Sequence, residues 1–245
     1  MLNGKIAIIT GAAAGIGEGT AEFFASHGAR LALLDKDADP LHALARRLPG
    51  DVLAIPVDLR SRPAVDRAFA QIDAHFGGGA DILINNAGIY PRKPFAETTE
   101  EELETILDVN LKSAYRCTQA ALPLFAQRGG GKVVNTSSVT FFVGLNNLSH
   151  YIAAKGGIVG LTRALARELG PRNIHVNCVS PGAILVESEK KVATPEQMAV
   201  IVENQSIKRR LLPIDIARVS YFLASELSDG MTGQTVNVDG GWILY

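Results

Sequence analysis

The feature that most constrains this chain is an alternation: short β-branched and aliphatic runs are separated repeatedly by longer amphipathic stretches. The runs are Ile6–Thr10, Leu31–Asp35, Val52–Val57, Ile82–Asn85, Val133–Ser137, Ile174–Val179 and Thr235–Val238. Helix-like stretches lie between them, near 15–27, 39–48, 63–76, 100–127, 150–169 and 214–225. Near-continuous apolar runs suit strands buried on both faces, and a long amphipathic stretch between two of them supplies a parallel crossover. The expectation is an α/β fold with a Rossmann-type, doubly wound, seven-stranded parallel sheet and helices on both faces. No composition shift or repeat divides the chain, so residues 1–245 read as one domain. Gly77–Gly79 and Gly129–Gly131 lead into strands rather than helices, so they read as breakers and not as anion-binding turns.

One glycine-rich stretch does sit where a phosphate would bind. Thr10-Gly11-Ala12-Ala13-Ala14-Gly15-Ile16-Gly17 follows the first run and opens the first helix. Glycine permits the tight turn and close backbone approach, and a helix N-terminus meets the negative charge of a pyrophosphate. The second run ends on Asp35, where a carboxylate can accept hydrogen bonds from the ribose hydroxyls of an adenosine. A turn or cap aspartate is the plainer alternative for that position.

A second constellation points to proton transfer. Tyr151 precedes Lys155 by four positions on one helix-like stretch, so both side chains leave the same face. An ammonium beside a phenol favours the phenolate and moves its pKa toward neutrality, which would make Tyr151 a usable acid and base. Ser138, at the end of the fifth run, can donate a hydrogen bond to the oxygen that the tyrosine serves. Gly156 and Gly157, costly inside a helix, imply close approach of cofactor or of a neighbouring helix.

Composition closes off other classes. With a formal net charge of −1 and the two signs interspersed, no nucleic-acid or membrane surface is expected as partner. Cys117 and Cys178 lack metal-ligand spacing and fall in apolar stretches, so no metal is expected and both read as reduced core residues of a cytoplasmic protein. No apolar run reaches the ~18 residues of a membrane span, and no leader is expected ahead of the first strand.

These motifs, in this order and spacing, resemble the short-chain dehydrogenase/reductase family over essentially the whole length. The turn at Thr10–Gly17 has the family's form, and the resemblance implies cofactor contacts at Gly11, Gly15, Ile16 and Gly17. It implies adenine binding at Asp58-Leu59, a cofactor-lining Asn85-Asn86-Ala87-Gly88 motif, and nicotinamide contacts at Pro181, Gly182 and Ile184. Asn110, Ser138, Tyr151 and Lys155 match the family's catalytic tetrad, with Tyr151 and Lys155 also touching cofactor. In the implied reaction Tyr151 exchanges the hydroxyl proton while hydride passes between the carbinol carbon and NAD; Lys155 lowers the tyrosine's pKa and holds the ribose; Asn110 anchors a water. Gly233-Gln234 and Val238-Asp239-Gly240-Gly241 resemble the family's ending.

One position departs from the pattern. Val186 stands where the family usually keeps a threonine, and it cannot donate to the nicotinamide carboxamide; the backbone at Ile184, Ser188 or water could take over. Residues 186–212 are expected to form a substrate lid, with Lys208-Arg209-Arg210 as solvated charge. Tyr90, Pro91, Phe141, Phe142, Leu145 and Ile184 to Val186 are expected to line the pocket, which favours a small, largely apolar or ring-bearing secondary alcohol or ketone. The alternative is an NADPH-dependent 3-ketoacyl-carrier-protein reductase. Family resemblance also implies a homotetramer built on the two long helices.

Cofactor choice follows from Asp35. The 2′-phosphate of NADP would lie beside its carboxylate, the glycine turn carries no basic residue, and Lys36 is expected to face solvent. NAD should be preferred by at least about a hundredfold in kcat/KM, roughly 2.7 kcal/mol, and Asp35→Ser should shrink that gap. Equal kcat/KM for the two cofactors in the unmodified protein would overturn the assignment.

Overall fold

The computed structural model describes residues 1–187 and 194–244, with the backbone alone at 195–198. Its strands are β1 (Ile6–Thr10), β2 (Arg30–Asp35), β3 (Val52–Pro56), β4 (Ile82–Asn85), β5 (Gly131–Thr136), β6 (Ile174–Pro181) and β7 (Thr235–Val238). They form one seven-stranded sheet in the order β3-β2-β1-β4-β5-β6-β7, with every pairing parallel. The helices are α1 (Gly15–Ser26), α2 (Ala38–Arg47), α3 (Arg62–Phe76), α4 (Glu100–Leu107), α5 (Ser113–Arg128), α6 (Thr140–Val143), α7 (Ser149–Leu169), α8 (Pro195–Glu203) and α9 (Pro213–Ala224).

The two faces of the sheet are read directly from strand alternation. Ala7 and Ile9 face one core with Phe24 of α1, Leu44 of α2 and Ile216 of α9. Ile6 and Ile8 face the other with Val65 and Phe69 of α3 and Phe125 of α5. Strand order reverses between β1 and β4, which opens a crevice at their carboxyl ends; ligands of open α/β sheets bind at such a switch point.

Two expected stretches differ from what forms. The helix expected over 100–127 is interrupted by a π-helical segment, Asp108–Lys112. Within it Asn110 Nδ2 donates to the carbonyl of Ile106, four residues back, at 3.0 Å. A side chain that competes for that carbonyl widens the turn. The segment 186–212, expected as a lid and without a strong period in its sequence, contains α8 among its described residues, and a short parallel bridge pairs Ile184 with Leu211.

A polar ladder runs through the otherwise apolar layer under α5 and α7. Asn85 and Asn135 are register partners on β4 and β5, and Asn85 Nδ2 donates to Asn135 Oδ1 at 2.9 Å and to Thr118 Oγ1 at 3.1 Å. Asn135 Nδ2 donates to Thr162 Oγ1 at 2.9 Å, and both threonines pass their own protons to carbonyls of their helices. Each link pins a helix to the sheet through groups that have no access to water. Asn135→Ala would leave the Asn85 amide and the Thr162 hydroxyl each short of one buried partner and open a small cavity, so it should destabilise the protein by about 1–3 kcal/mol. Urea denaturation measures this, and a loss below about 0.5 kcal/mol would show the ladder to be dispensable.

Candidate active site

Residues from five chain segments meet at the carboxyl ends of β1, β4, β5 and β6. At β1 the chain turns through Gly11 and Gly15, both with left-handed backbones (φ 65° and 61°). A Cβ on Gly11 would lie 2.7 Å from Ala87 Cα, and one on Gly17 would lie 1.9 Å from the Gly11 carbonyl oxygen, so the turn closes only with glycine at both. Thr10 and Asn86 brace it. Thr10 Oγ1 accepts from the backbone N–H groups of Asn86 and Ala87, at 3.0 and 3.1 Å, and Asn86 Nδ2 donates to the carbonyls of Thr10 and Gly11, both at 3.1 Å. The Asn86 side chain is thus occupied in holding the turn.

The geometry fits an anionic dinucleotide. Ala14, at the N-cap of α1, supplies no side-chain acceptor, so the helix's first N–H groups remain available to a pyrophosphate. Asp35 is held in place by the backbone: its Oδ2 accepts from Ala13 N–H at 3.0 Å and its Oδ1 from Asp37 N–H at 3.1 Å. The carboxylate therefore serves as a local turn brace while standing at the end of β2, where a ribose would lie, and the two readings of Asp35 coexist. Asp58 is gripped by Arg60, whose Nη2 approaches Oδ2 to 2.7 Å, and this pairing holds its carboxyl below the usual range. Lys36 is exposed, and its charge acts in the same direction on Asp58. Leu59, beside it, is buried in the core under α3 and α5.

Around the catalytic helix, Lys155 is buried at 4% exposure, and its Nζ donates to the carbonyl of Thr136 at the tip of β5, 2.8 Å away. Ser137 Oγ returns a hydrogen bond to the Lys155 carbonyl at 2.8 Å, fastening α7 to the strand. Tyr151 lies on the same face of α7, with the Lys155 Nζ 5.7 Å from its ring centroid. Gly88 fits between two expected tetrad members: a Cβ there would come within 2.8 Å of Asn110 Oδ1 and 3.4 Å of Lys155 Nζ. Asn110 is buried, and its side chain bonds both backbone groups of Ile89, accepting from the N–H at 3.1 Å and donating to the carbonyl at 3.0 Å. Asn110, Ser138, Tyr151 and Lys155 are therefore brought to one place, as the spacing suggests.

The electrostatics differ from the sequence-based expectation. Burial pushes the Tyr151 phenol up to about 12, against a lowering influence from Ser138 and a further raise from Tyr90. Burial also brings the Lys155 ammonium down to about 8. The expectation that Lys155 lowers the tyrosine's pKa does not hold in this state, because the ammonium points to the Thr136 carbonyl and desolvation dominates both groups. Tyr151 is thus a protonated phenol across the neutral range, ready to act as an acid. Tyr90 stands beside it, ring centroids 6.2 Å apart.

Several residues expected to line the pocket can be placed. Phe141 packs on α7, where a Cβ on Gly156 would meet its ring at 2.9 Å, and Phe142 lies over the groove formed with Arg163, Arg167 and Thr232. Gly157 faces Leu111, so one of the two glycines does serve helix packing. Gly182 packs against Asp239, and its N–H donates to the Val238 carbonyl at 2.9 Å, which joins the Pro181-Gly182 turn to the end of β7. Val186 lies over the glycine turn, 3.3 Å from where a Gly15 Cβ would be, and Ile184 is buried at its bridge to Leu211. Ser188 lies outside the described residues. Lys208 and Arg209 are exposed, as expected of solvated charge, and the triplet is held by local partners: Lys208 donates to the Glu203 carbonyl, Arg209 forms a two-pronged pair with Asp215, and the half-buried Arg210 donates to the Ala183 carbonyl.

Comparison with known proteins agrees with this geometry. A family model described as enoyl-(acyl carrier protein) reductase matches residues 11–243. The D-xylose 1-dehydrogenase of Caulobacter vibrioides is 40% identical over 98% of this chain and 96% of its own length. The 2-dehydro-3-deoxy-D-gluconate 5-dehydrogenase of Escherichia coli is 34% identical over 99% of this chain and 96% of its own. The crystal structure of a 7α-hydroxysteroid dehydrogenase complexed with NADH and 7-oxo glycochenodeoxycholic acid superimposes with a TM-score of 0.94, at 33% identity, over 98% of this chain and 94% of that one. The chain belongs to the short-chain dehydrogenase/reductase family. It is an oxidoreductase of the class that works with a nicotinamide cofactor.

The buried lysine gives a pH signature. Its pKa in the folded protein, about 8, lies below the ordinary 10.5, so the native state binds fewer protons than the unfolded chain between those values. Its contribution to stability therefore rises with pH through that window. In urea denaturation from pH 7 to 10, the stability of wild type relative to Lys155→Met should climb with pH. A flat difference would show that the ammonium is not desolvated.

Proposed function

We propose that this chain is an NAD-dependent dehydrogenase of a small, ring-bearing secondary alcohol, with a polyhydroxylated sugar or sugar acid as the favoured class. The observation that carries the reading is the meeting of Ser138, Tyr151 and Lys155 beside the crevice between β1 and β4. Hydride transfer is the chemistry that NAD supplies. Tyr151 passes the proton to or from the reacting oxygen, Ser138 donates a hydrogen bond to that oxygen, and Lys155 turns from the Thr136 carbonyl toward the ribose and the phenol. Asn110 shapes the π turn beside Lys155 and anchors a water there. Gly11, Gly15, Ile16 and Gly17 hold the pyrophosphate on α1, Asp35 the ribose, Asp58 and Leu59 the adenine. Asn86, Ala87, Gly88, Pro181, Gly182 and Ile184 border the nicotinamide half.

Choice of NAD is supported by the Asp35 carboxylate and by the absence of a basic side chain in Thr10–Gly17. The substrate class is supported by the Caulobacter and Escherichia relatives, named for sugar and sugar-acid substrates. The carrier-protein alternative draws on the family model's description and on the exposed Lys208 and Arg209, while Asp35 and the near-neutral net charge count against it. We read residues 1–245 as one catalytic unit in the cytoplasm, consistent with two buried free cysteines and with the absence, among the described residues, of a helix long and apolar enough to cross a membrane. We assign the lid to residues 186–212, of which 188–193 lie outside the described residues. A homotetramer built on the two long helices follows the family resemblance; an open groove of about 550 Å³ along them is lined by apolar residues such as Leu111, Tyr115 and Leu161 together with Lys112 and Arg116.

Absorbance of the reduced cofactor, followed over a panel of aldoses, sugar acids, cyclic alcohols and carrier-linked ketoacyl groups, tests the reading. Turnover of a polyhydroxylated substrate with NAD is the expected result; activity confined to carrier-linked ketones with NADPH would reverse it. Tyr151→Phe should lower turnover at least about a hundredfold while NAD binds within about twofold of wild type.

A further inference from the structure

Ser138 has a partner outside the four residues that the family pattern marks. Thr140, at the first position of α6, sends both its donors to the Ser138 hydroxyl oxygen: the backbone N–H at 3.2 Å and the side-chain hydroxyl at 3.0 Å. Ser138 is 8% exposed, so water is a poor substitute for either donor. A hydroxyl offers two acceptor sites and a single proton. When the Thr140 hydroxyl donates, both acceptor sites are filled from Thr140 and the serine proton is left for the oxygen opposite.

We infer that Thr140 is a positioning residue whose hydroxyl fixes Ser138 as a donor aimed at the reacting oxygen of the substrate. The inference rests on the proposed role of Ser138. Three arguments support it beyond the distances. Closing the local turn needs only the Thr140 N–H, so the side-chain hydroxyl is surplus to that purpose. A chain of hydroxyls donating in one direction polarises each successive bond, and here the chain would end on the substrate oxygen, where negative charge grows as hydride arrives at or leaves the carbon. Without the Thr140 hydroxyl one acceptor site on Ser138 falls open, and the serine can rotate to take a proton from the substrate or from Tyr151 instead of giving one.

The test is a double-mutant cycle on the full-length protein with saturating NAD. Thr140→Val keeps the shape and removes the donor; it should lower kcat about tenfold, with NAD affinity and the thermal midpoint near wild type. Thr140→Ser, which restores a hydroxyl, should recover kcat to within about threefold. In a Ser138→Ala background, Thr140→Val should cost nothing further, because the group it acts through is gone. Thr140→Ala provides a second route around the cycle if the valine proves unstable. Full activity in Thr140→Val, or the same tenfold loss with and without Ser138, would overturn the inference while leaving Ser138 in its role. Wild-type turnover in Ser138→Ala would instead remove the role of Ser138 and this inference with it.

Discussion

The arrangement of the site depends on one costly placement, a lysine ammonium taken out of water. Among the described residues Lys155 forms no ion pair, and the backbone carbonyl of Thr136 receives its hydrogen bond. Moving an ammonium into such surroundings costs several kcal/mol before compensation. Its neighbours can be read as the conditions for tolerating it. β5 must end at Thr136 so that a free carbonyl faces the helix, and Ser137 must fasten α7 through the Lys155 carbonyl. Position 88 must lack a side chain, since a Cβ would crowd both the ammonium and Asn110. A charge held by a dipole and not by a carboxylate remains free to turn toward another acceptor, which is what the role proposed for Lys155 requires.

The same economy of buried polar groups recurs throughout this end of the molecule. Asn110 satisfies its side chain on Ile89 and Ile106, and in doing so opens the helix between α4 and α5 into a π turn. Asn85 and Asn135 tie β4 and β5 to α5 and α7 through threonine hydroxyls. Thr10 and Asn86 lock the glycine turn to the end of β4. Each side chain bridges the carboxyl end of one strand to a neighbouring element, so the rim of the sheet is rigid where reacting groups must be held. The cofactor side is built differently: Asp35 and Asp58 are held by local partners that leave the crevice open, and Val186 rests on the glycine turn by apolar contact alone.

Much of this was legible in the chain. Strand runs separated by amphipathic stretches dictated a parallel, doubly wound sheet, because strands buried on both faces must be apolar throughout and parallel strands need long crossovers. Tyr151 and Lys155 had to share a face once a helix covered them, and Gly11 and Gly17 had to be glycine once the turn was as tight as its spacing implied. These are local properties, set by backbone periodicity and by the absence of a Cβ. The pKa balance at Tyr151, the partners of Lys208, Arg209 and Arg210, the seating of Phe141 against α7, and the grip of Thr140 on Ser138 were decided only by tertiary structure. Each depends on how deeply a group is buried and on which distant carbonyl, carboxylate or helix surface it meets, and residue order alone carries no measure of either.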